Sequence, residues 1–265
     1  NASLCCCASG ETVDNVSGLF IIKEQQLQQV VLVTGTSRRV GLHMAKRFHE
    51  QGCNVLAHYR TETSGVQEMR DLGIETVQAD FSSTETIMTF IEDCQQRCES
   101  IRAVIHNASS FSPTPDDLAK AAEQYEQFFY VHMMAPFLIN EGLKNKFQGD
   151  DNKPADIVHI TDINVENPTT RFDTYGTTKA GLHNMMLVLA KKYAPTIKVN
   201  AVAPGPVLFT ESHSDEVRQQ MMSETPLGCE GGAEPVFLAV RSLLDNPFLT
   251  GVSIAVDGGR RLSKR

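Results

Sequence analysis

The sequence has no tryptophan, and its aromatic share is only 7%. No apolar stretch approaches the ~20 residues that a membrane-spanning helix requires. Lysine and arginine form no dense run, and the formal net charge is −8. A nucleic-acid partner, which demands a basic face, is therefore not expected. A phosphate ligand is not excluded, because one or two local arginines suffice for it. No Cys-x-x-Cys pair occurs, which removes the usual framework of a tetrahedral zinc site, and no metal is expected. The start of the chain lacks the basic residues and long apolar run of a signal peptide. Neither an internal repeat nor a linker marks a second domain.

What is present is a chain of 265 residues, 41% hydrophobic and 21% charged, near the globular averages. Residues 1–18 are small, polar and irregular, and 1–28 read as a flexible tail, leaving 29–265 as one catalytic domain. The seven cysteines are Cys5, Cys6, Cys7, Cys53, Cys94, Cys98 and Cys229. An odd, scattered set of thiols fits the reducing cytoplasm. Cys94 and Cys98 sit one helical turn apart and read as buried thiols before they read as ligands.

Short Val- and Ile-rich runs recur at 30–33, 54–58, 75–79, 101–106, 156–160, 197–202 and 252–256. They are too short for helices and read as buried parallel strands. Helical spacing lies between them: Leu42, Ala45 and Phe48 share one face, as do Ile87, Phe90, Ile91 and Cys94. This alternation predicts an α/β fold of the Rossmann type, a doubly wound parallel sheet of about seven strands with helices on both faces. Ligands then bind at the carboxyl ends of the strands, so the functional residues should follow each run.

The first run leads into Thr34-Gly35-Thr36-Ser37-Arg38-Arg39-Val40-Gly41. A tight turn needs one glycine, close helix packing needs another, and the helix amino end offers N–H groups to a phosphate. The second run ends at His58-Tyr59-Arg60-Thr61, where an NAD enzyme would carry an acidic residue. Arg60, with Thr61 and the nearby Arg38, suits the extra 2′-phosphate of NADP, although Glu62 reaches the same region. Asp80 and Phe81 follow the third run, and Asp80 is also a candidate helix cap. Tyr175 and Lys179 are four residues apart in the helical stretch 174–193, hence on one face. An ammonium beside a phenol favours the phenolate, and bringing a Tyr from ~10 to ~7 takes about 4 kcal/mol.

The glycine turn, the Tyr-x-x-x-Lys pair and the strand array together resemble the short-chain dehydrogenases. In that family an Asp at position 80 hydrogen-bonds adenine, and Asn107-Ala108-Ser109-Ser110 is similar to its NNAG segment. Pro204-Gly205 resembles its segment beside the nicotinamide amide, and Lys179 would hold the nicotinamide ribose. There are three departures. Arg39 replaces the middle glycine of TGxxxGxG. Asp162 stands where a Ser is usual, thirteen residues before Tyr175. His132 occupies the place of the catalytic Asn, either anchoring a water or only packing. A carboxylate at 162 would repel a carbonyl oxygen, but it suits a heterocycle bearing N–H donors.

Arg39, Asp162 and the run from Asn107 to Phe111 look like the pteridine reductases. Asp162-Ile163, the strand His159-Ile160-Thr161 and the ending Asp257-Gly258-Gly259-Arg260 look most like the FolM-type dihydromonapterin reductases. The resemblance implies NADPH as cofactor and a pterin as substrate. It implies that Phe111 stacks on the pterin, that Ser109 contacts pterin or phosphate, and that Arg39 reaches toward both. Tyr175 would donate the proton, working with Asp162. The polar, Met-rich stretch 207–225 would form a mobile lid, and relatives form tetramers, with 185–189 a compatible apolar surface. Two alternatives stand beside this: a carbonyl reductase of the same fold acting on a 3-oxoacyl or sugar substrate, and a non-catalytic NADPH-binding sensor.

Overall fold

The computed structural model describes residues 29–150, 153–209 and 214–263. The expected tail over 1–28 lies outside them, as do 210–213 within the expected lid. Seven strands form one parallel sheet: β1 (Gln29–Thr34), β2 (Asn54–Tyr59), β3 (Glu75–Gln78), β4 (Ser100–His106), β5 (Ala155–Ile160), β6 (Ile197–Pro204) and β7 (Ser253–Val256). Their order is β3-β2-β1-β4-β5-β6-β7. The order reverses between β1 and β4, and that reversal opens a crevice at the carboxyl ends of the strands. Each expected run is a strand, with ends differing by a residue or two; β6 continues to Pro204.

The strands read as unbroken apolar runs because helices cover both faces. The helices are α1 (Arg39–Glu50), α2 (Ser64–Asp71), α3 (Thr84–Arg97), α4 (Leu118–Phe129), α5 (Ala135–Leu143), α6 (Asp173–Tyr193), α7 (Asp215–Ser223) and α8 (Glu234–Asp245). Met44 and Phe48 of α1, Met69 of α2 and Phe237 of α8 pack on one face. Ile87, Phe90, Ile91 and Cys94 of α3 join Ile139 and Leu143 of α5 on the other. Met186 and Leu189 of α6 cover β5 and β6, so this part of the 185–189 surface belongs to the core, while Leu187 and Val188 stay exposed. On α1 the buried stripe is Gly41, Met44, Ala45 and Phe48, and Leu42 lies at its edge, half-buried. Cys94 and Cys98 are buried, and desolvation pushes both thiols up, Cys98 to about 11. Among the described residues no helix is long and apolar enough to cross a membrane.

Side chains cap α2 (Thr63), α3 (Ser83), α4 (Asp117) and α7 (Ser214). The cap of α3 is thus Ser83 and not Asp80, whose carboxylate is left exposed beyond β3. No side chain caps α1, so its first amides stay available at the glycine turn. Between α4 and α5 the chain makes a π-helical turn, Tyr130–Met134. The sequence supplies a cause: Pro136 has no N–H to give the carbonyl of residue 132, so the regular ladder cannot continue there.

Candidate active site

The cofactor end is built on contacts that only glycine permits. Gly35 has φ 72°, and a Cβ there would lie 2.6 Å from Ala108 Cα. A Cβ on Gly41 would lie 2.1 Å from Gly35 O. Asn107 Nδ2 donates to Thr34 O and Gly35 O at 3.0 and 2.9 Å, and Thr34 Oγ1 accepts from the amides of Asn107 and Ala108 at 3.0 Å each. Asn107, expected at the cofactor, therefore holds the turn from behind. Gly35 N donates to His58 Nδ1 at 3.1 Å, so the ring proton is on Nε2, which donates to Ala79 O at 3.0 Å. Burial lowers the pKa of His58 to about 4, so the ring stays neutral in this role.

Two expected cofactor residues turn their side chains inward. The Phe81 ring stacks on His58 with centroids 4.2 Å apart, inside the core. The Tyr59 ring is buried, and its hydroxyl accepts from Arg70 at 2.7 Å. Both sit where apolar packing outweighs exposure, which leaves only their main chain for a ligand. Glu62 is drawn off by Arg70, at 2.7 and 3.1 Å, so it does not compete for the ground beside Arg60. Arg38, Arg60 and Thr61 are exposed, and among the described residues neither guanidinium makes a hydrogen bond or ion pair. Two unpaired guanidiniums beside an uncapped helix amino end fit a dinucleotide carrying an additional phosphate.

Arg39 is the one non-glycine with positive φ among the described residues, at 55°. A left-handed conformation costs an L-residue about 1–2 kcal/mol. Its guanidinium donates to Leu208 O at 2.9 Å, tying the turn to the loop after β6. Val40 is half-buried in the first turn of α1. Gly205, beyond Pro204, donates from its amide to Val256 O at 2.9 Å.

At the catalytic end, the Tyr175 hydroxyl donates to Asp162 Oδ2 at 2.9 Å. Asp162 Oδ1 accepts from Asn164 N at 2.7 Å, capping the short turn Ile163–Val165. Lys179 Nζ donates to Ile160 O at 2.8 Å and lies 5.7 Å from the centre of the Tyr175 ring. Desolvation, and then the Asp162 carboxylate, push the Tyr175 phenol well above its ordinary value, opposite in direction to the shift a neighbouring ammonium brings. Lys179 is itself desolvated and lowered to about 8, although Asp162 acts to raise it. Burial also raises the Asp162 carboxyl, against its hydrogen bonds from Asn164 and Tyr175 and the charge of Lys179. Tyr175 is thus a firmly held phenol, and Asp162 is the group moved toward neutral pH, where a proton carrier works best.

Phe111 is 61% exposed, stacks on Phe172 with centroids 4.6 Å apart, and meets the Tyr175 ring edge-on at 4.9 Å. Phe172 escaped the sequence reading, although its place just before the Tyr175 helix is the one signal that points to it. Thr114 N donates to Arg171 O at 3.0 Å, and the Thr114 hydroxyl bonds Asp173, which pins the Phe111 loop to the start of α6. His132 is buried and bonded through both nitrogens, to Ser109 Oγ and to Thr178 Oγ1, each at 2.8 Å. That differs from both roles considered for it.

The family model of the short chain dehydrogenases matches residues 29–221. Dihydromonapterin reductase of Klebsiella pneumoniae is 34% identical over 238 residues, covering 90% of this chain and 99% of that protein. Dihydromonapterin reductase of Escherichia coli K12 is 34% identical over 232 residues, 88% of this chain and 96% of its own. FolM alternative dihydrofolate reductase 1 from Brucella canis, solved in complex with NADP, superposes with a TM-score of 0.79 at 28% identity, covering 91% and 96% of the two chains. The corresponding Brucella suis structure, also with NADP, gives 0.75 at 27% identity over 89% and 96%. With the sheet order, the glycine turn and the Tyr175–Lys179 helix in place, the chain belongs to the short-chain dehydrogenase family.

Proposed function

We propose that this chain reduces a dihydropterin with NADPH, taking dihydromonapterin to tetrahydromonapterin. One observation carries the reading: a half-buried carboxylate, Asp162, is bonded to the Tyr175 hydroxyl at 2.9 Å beside the exposed ring of Phe111. A carbonyl oxygen brought to that carboxylate is repelled, whereas a nitrogen-rich ring offers it N–H donors. The names of the relatives support the same substrate class. NADPH supplies a hydride to a ring carbon, the C=N double bond becomes single, and the adjacent ring nitrogen takes a proton.

The residues have distinct tasks. Asp162 carries the proton and Tyr175 passes it on. Lys179 holds the nicotinamide ribose, and Phe111 presents its face to the pterin. Arg38, Arg60 and Thr61 meet the 2′-phosphate, Asp80 meets the adenine, and Gly35, Arg39 and Val40 offer the turn to the diphosphate. The main chain at Tyr59, Phe81, Ala108, Pro204 and Gly205 completes the cofactor wall. Ser109 and Arg39 face the substrate, beside the loop at 207–209, where Arg39 donates to Leu208 O. Dihydrobiopterin and dihydrofolate are further candidates of the same class. A homo-oligomer, tetrameric by resemblance, is supported by the exposed Phe129, Phe137, Leu187 and Val188. A cytoplasmic location is supported by the free thiols of Cys53, Cys94, Cys98 and Cys229. The test is NADPH oxidation with dihydromonapterin, dihydrofolate and a panel of simple ketones. Turnover of the dihydropterins is expected; turnover of ketones alone would leave a carbonyl reductase, and tight NADPH binding with no turnover would leave a sensor.

A further inference from the structure

His132 sits in the π-helical turn Tyr130–Met134, fully buried, and the proton path through Asp162 and Tyr175 does not use it. Its Nδ1 lies 2.8 Å from Thr178 Oγ1, and its Nε2 lies 2.8 Å from Ser109 Oγ and 3.4 Å from the backbone nitrogen of Ser110. Proton counting gives each bond a direction. The Thr178 hydroxyl has one proton and donates it to Tyr175 O at 2.9 Å. Thr178 Oγ1 must then accept from His132, so Nδ1 carries the imidazole proton. A backbone N–H can only donate, so the Ser110 contact independently makes Nε2 the acceptor. The two assignments agree on one neutral tautomer. The rings of Phe128 and Tyr175 pack around it at 5.5 and 5.4 Å. Burial, and then the charge of Lys179, hold the ring uncharged.

Ser109 follows from this. Its hydroxyl proton goes to His132 Nε2 at 2.8 Å in preference to the 3.4 Å contact with Ser110 O. What the exposed Ser109 hydroxyl has left to offer is then lone pairs, able to receive a hydrogen bond and unable to give one.

We infer that His132 is a positioning residue whose fixed tautomer ties the substrate loop at Ser109–Ser110 to the catalytic helix at Thr178 and sets Ser109 as the acceptor for a ring N–H of the substrate. Only the last clause rests on the dihydropterin reading; the tie and the tautomer stand without it. Such a site favours an N–H-bearing heterocycle over a carbonyl at a second point, independent of Asp162. It also makes Ser109 an unsuitable donor to a phosphate.

Two measurements test it on the full chain. Long-range nitrogen–proton correlation NMR of the unmodified protein should find His132 protonated on Nδ1 and unchanged from about pH 6 to about pH 8. An Nε2-protonated ring, or one that titrates in that range, overturns the inference. The second compares His132→Gln, whose amide keeps one donor and one acceptor, with His132→Phe, which fills the space with neither. The Phe variant should raise KM for dihydromonapterin about tenfold with a smaller change in kcat, and NADPH binding followed by fluorescence should stay within about twofold. The Gln variant should recover most of that loss. Equal losses in both variants, or a loss confined to NADPH binding, overturn the inference. If the Phe variant fails to fold, the NMR measurement still decides it. If the unmodified protein turns over no dihydropterin, the substrate reading fails while the tautomer still judges the tie.

Discussion

Asp162→Asn separates chemistry from folding. The amide has nearly the volume of the carboxylate, and its oxygen can still accept from Asn164 N, which bonds the native carboxylate at 2.7 Å. Its NH2 group faces the Tyr175 hydroxyl, however, and reverses the 2.9 Å bond that the phenol now donates. The variant cannot carry a proton. Loss of a positioned acid–base group is worth about 10²–10⁴ in rate, or about 3–5 kcal/mol at 1.36 kcal/mol per decade. The loss should appear in kcat for dihydromonapterin. Stability should move the other way. Burial raises the Asp162 carboxyl, so the folded chain binds more protons than the unfolded chain in the window above the unfolded value of ~3.9. Stability from this group is full below that window and falls as pH rises through it. Removing the charge should therefore stabilise the protein near neutral pH by on the order of 1 kcal/mol, about 2–4 °C in Tm, and the gain should shrink as the pH is lowered. Steady-state NADPH oxidation and thermal unfolding at two pH values measure both effects. A variant with kcat within about threefold of the parent and the same Tm would mean that Asp162 only caps the turn Ile163–Val165, and the reasoning fails.

Arg60→Ala should raise KM for NADPH about tenfold or more and leave KM for NADH unchanged, since only the 2′-phosphate is lost as a partner; equal effects on both cofactors would refute that role. Acid should destabilise the fold through its buried neutral histidines. His58 and His106 are both lowered to about 4, while the unfolded chain takes up their protons near ~6.5, so stability is present above ~6.5 and is lost as pH falls toward 4. Urea unfolding midpoints that stay flat across that range would contradict it. Phe172→Ala should loosen Phe111, which stacks on it at 4.6 Å, and raise KM for the dihydropterin about 2- to 10-fold with little change in NADPH affinity. A loss in kcat alone would argue against a stacking role.

The strands, the apolar face of α3, and the Gly35–Gly41 turn were legible in the sequence because each depends on short-range rules. Period, length and the steric needs of one turn are written in adjacent residues, and a Tyr-x-x-x-Lys spacing places two side chains on one helix face wherever that helix goes. Asp162 was legible by its offset from Tyr175, and its unusual identity already pointed away from a carbonyl. The direction of the Tyr175 shift was not legible. Spacing reveals that a lysine is near, but desolvation depends on how β5, α4 and the Phe111 loop close around the phenol. Phe172 became part of the site only when Thr114 pinned the Phe111 loop to α6. His58 met Gly35 across 23 positions of sequence, and His132 met Thr178 across 46. By itself the sequence determined which elements form and which residues stand at the strand ends. Tertiary structure alone decided which side chains turn inward, as with Tyr59 and Phe81, and which protons are held. Burial and through-space hydrogen bonds are properties of segments brought together, and no local pattern encodes them.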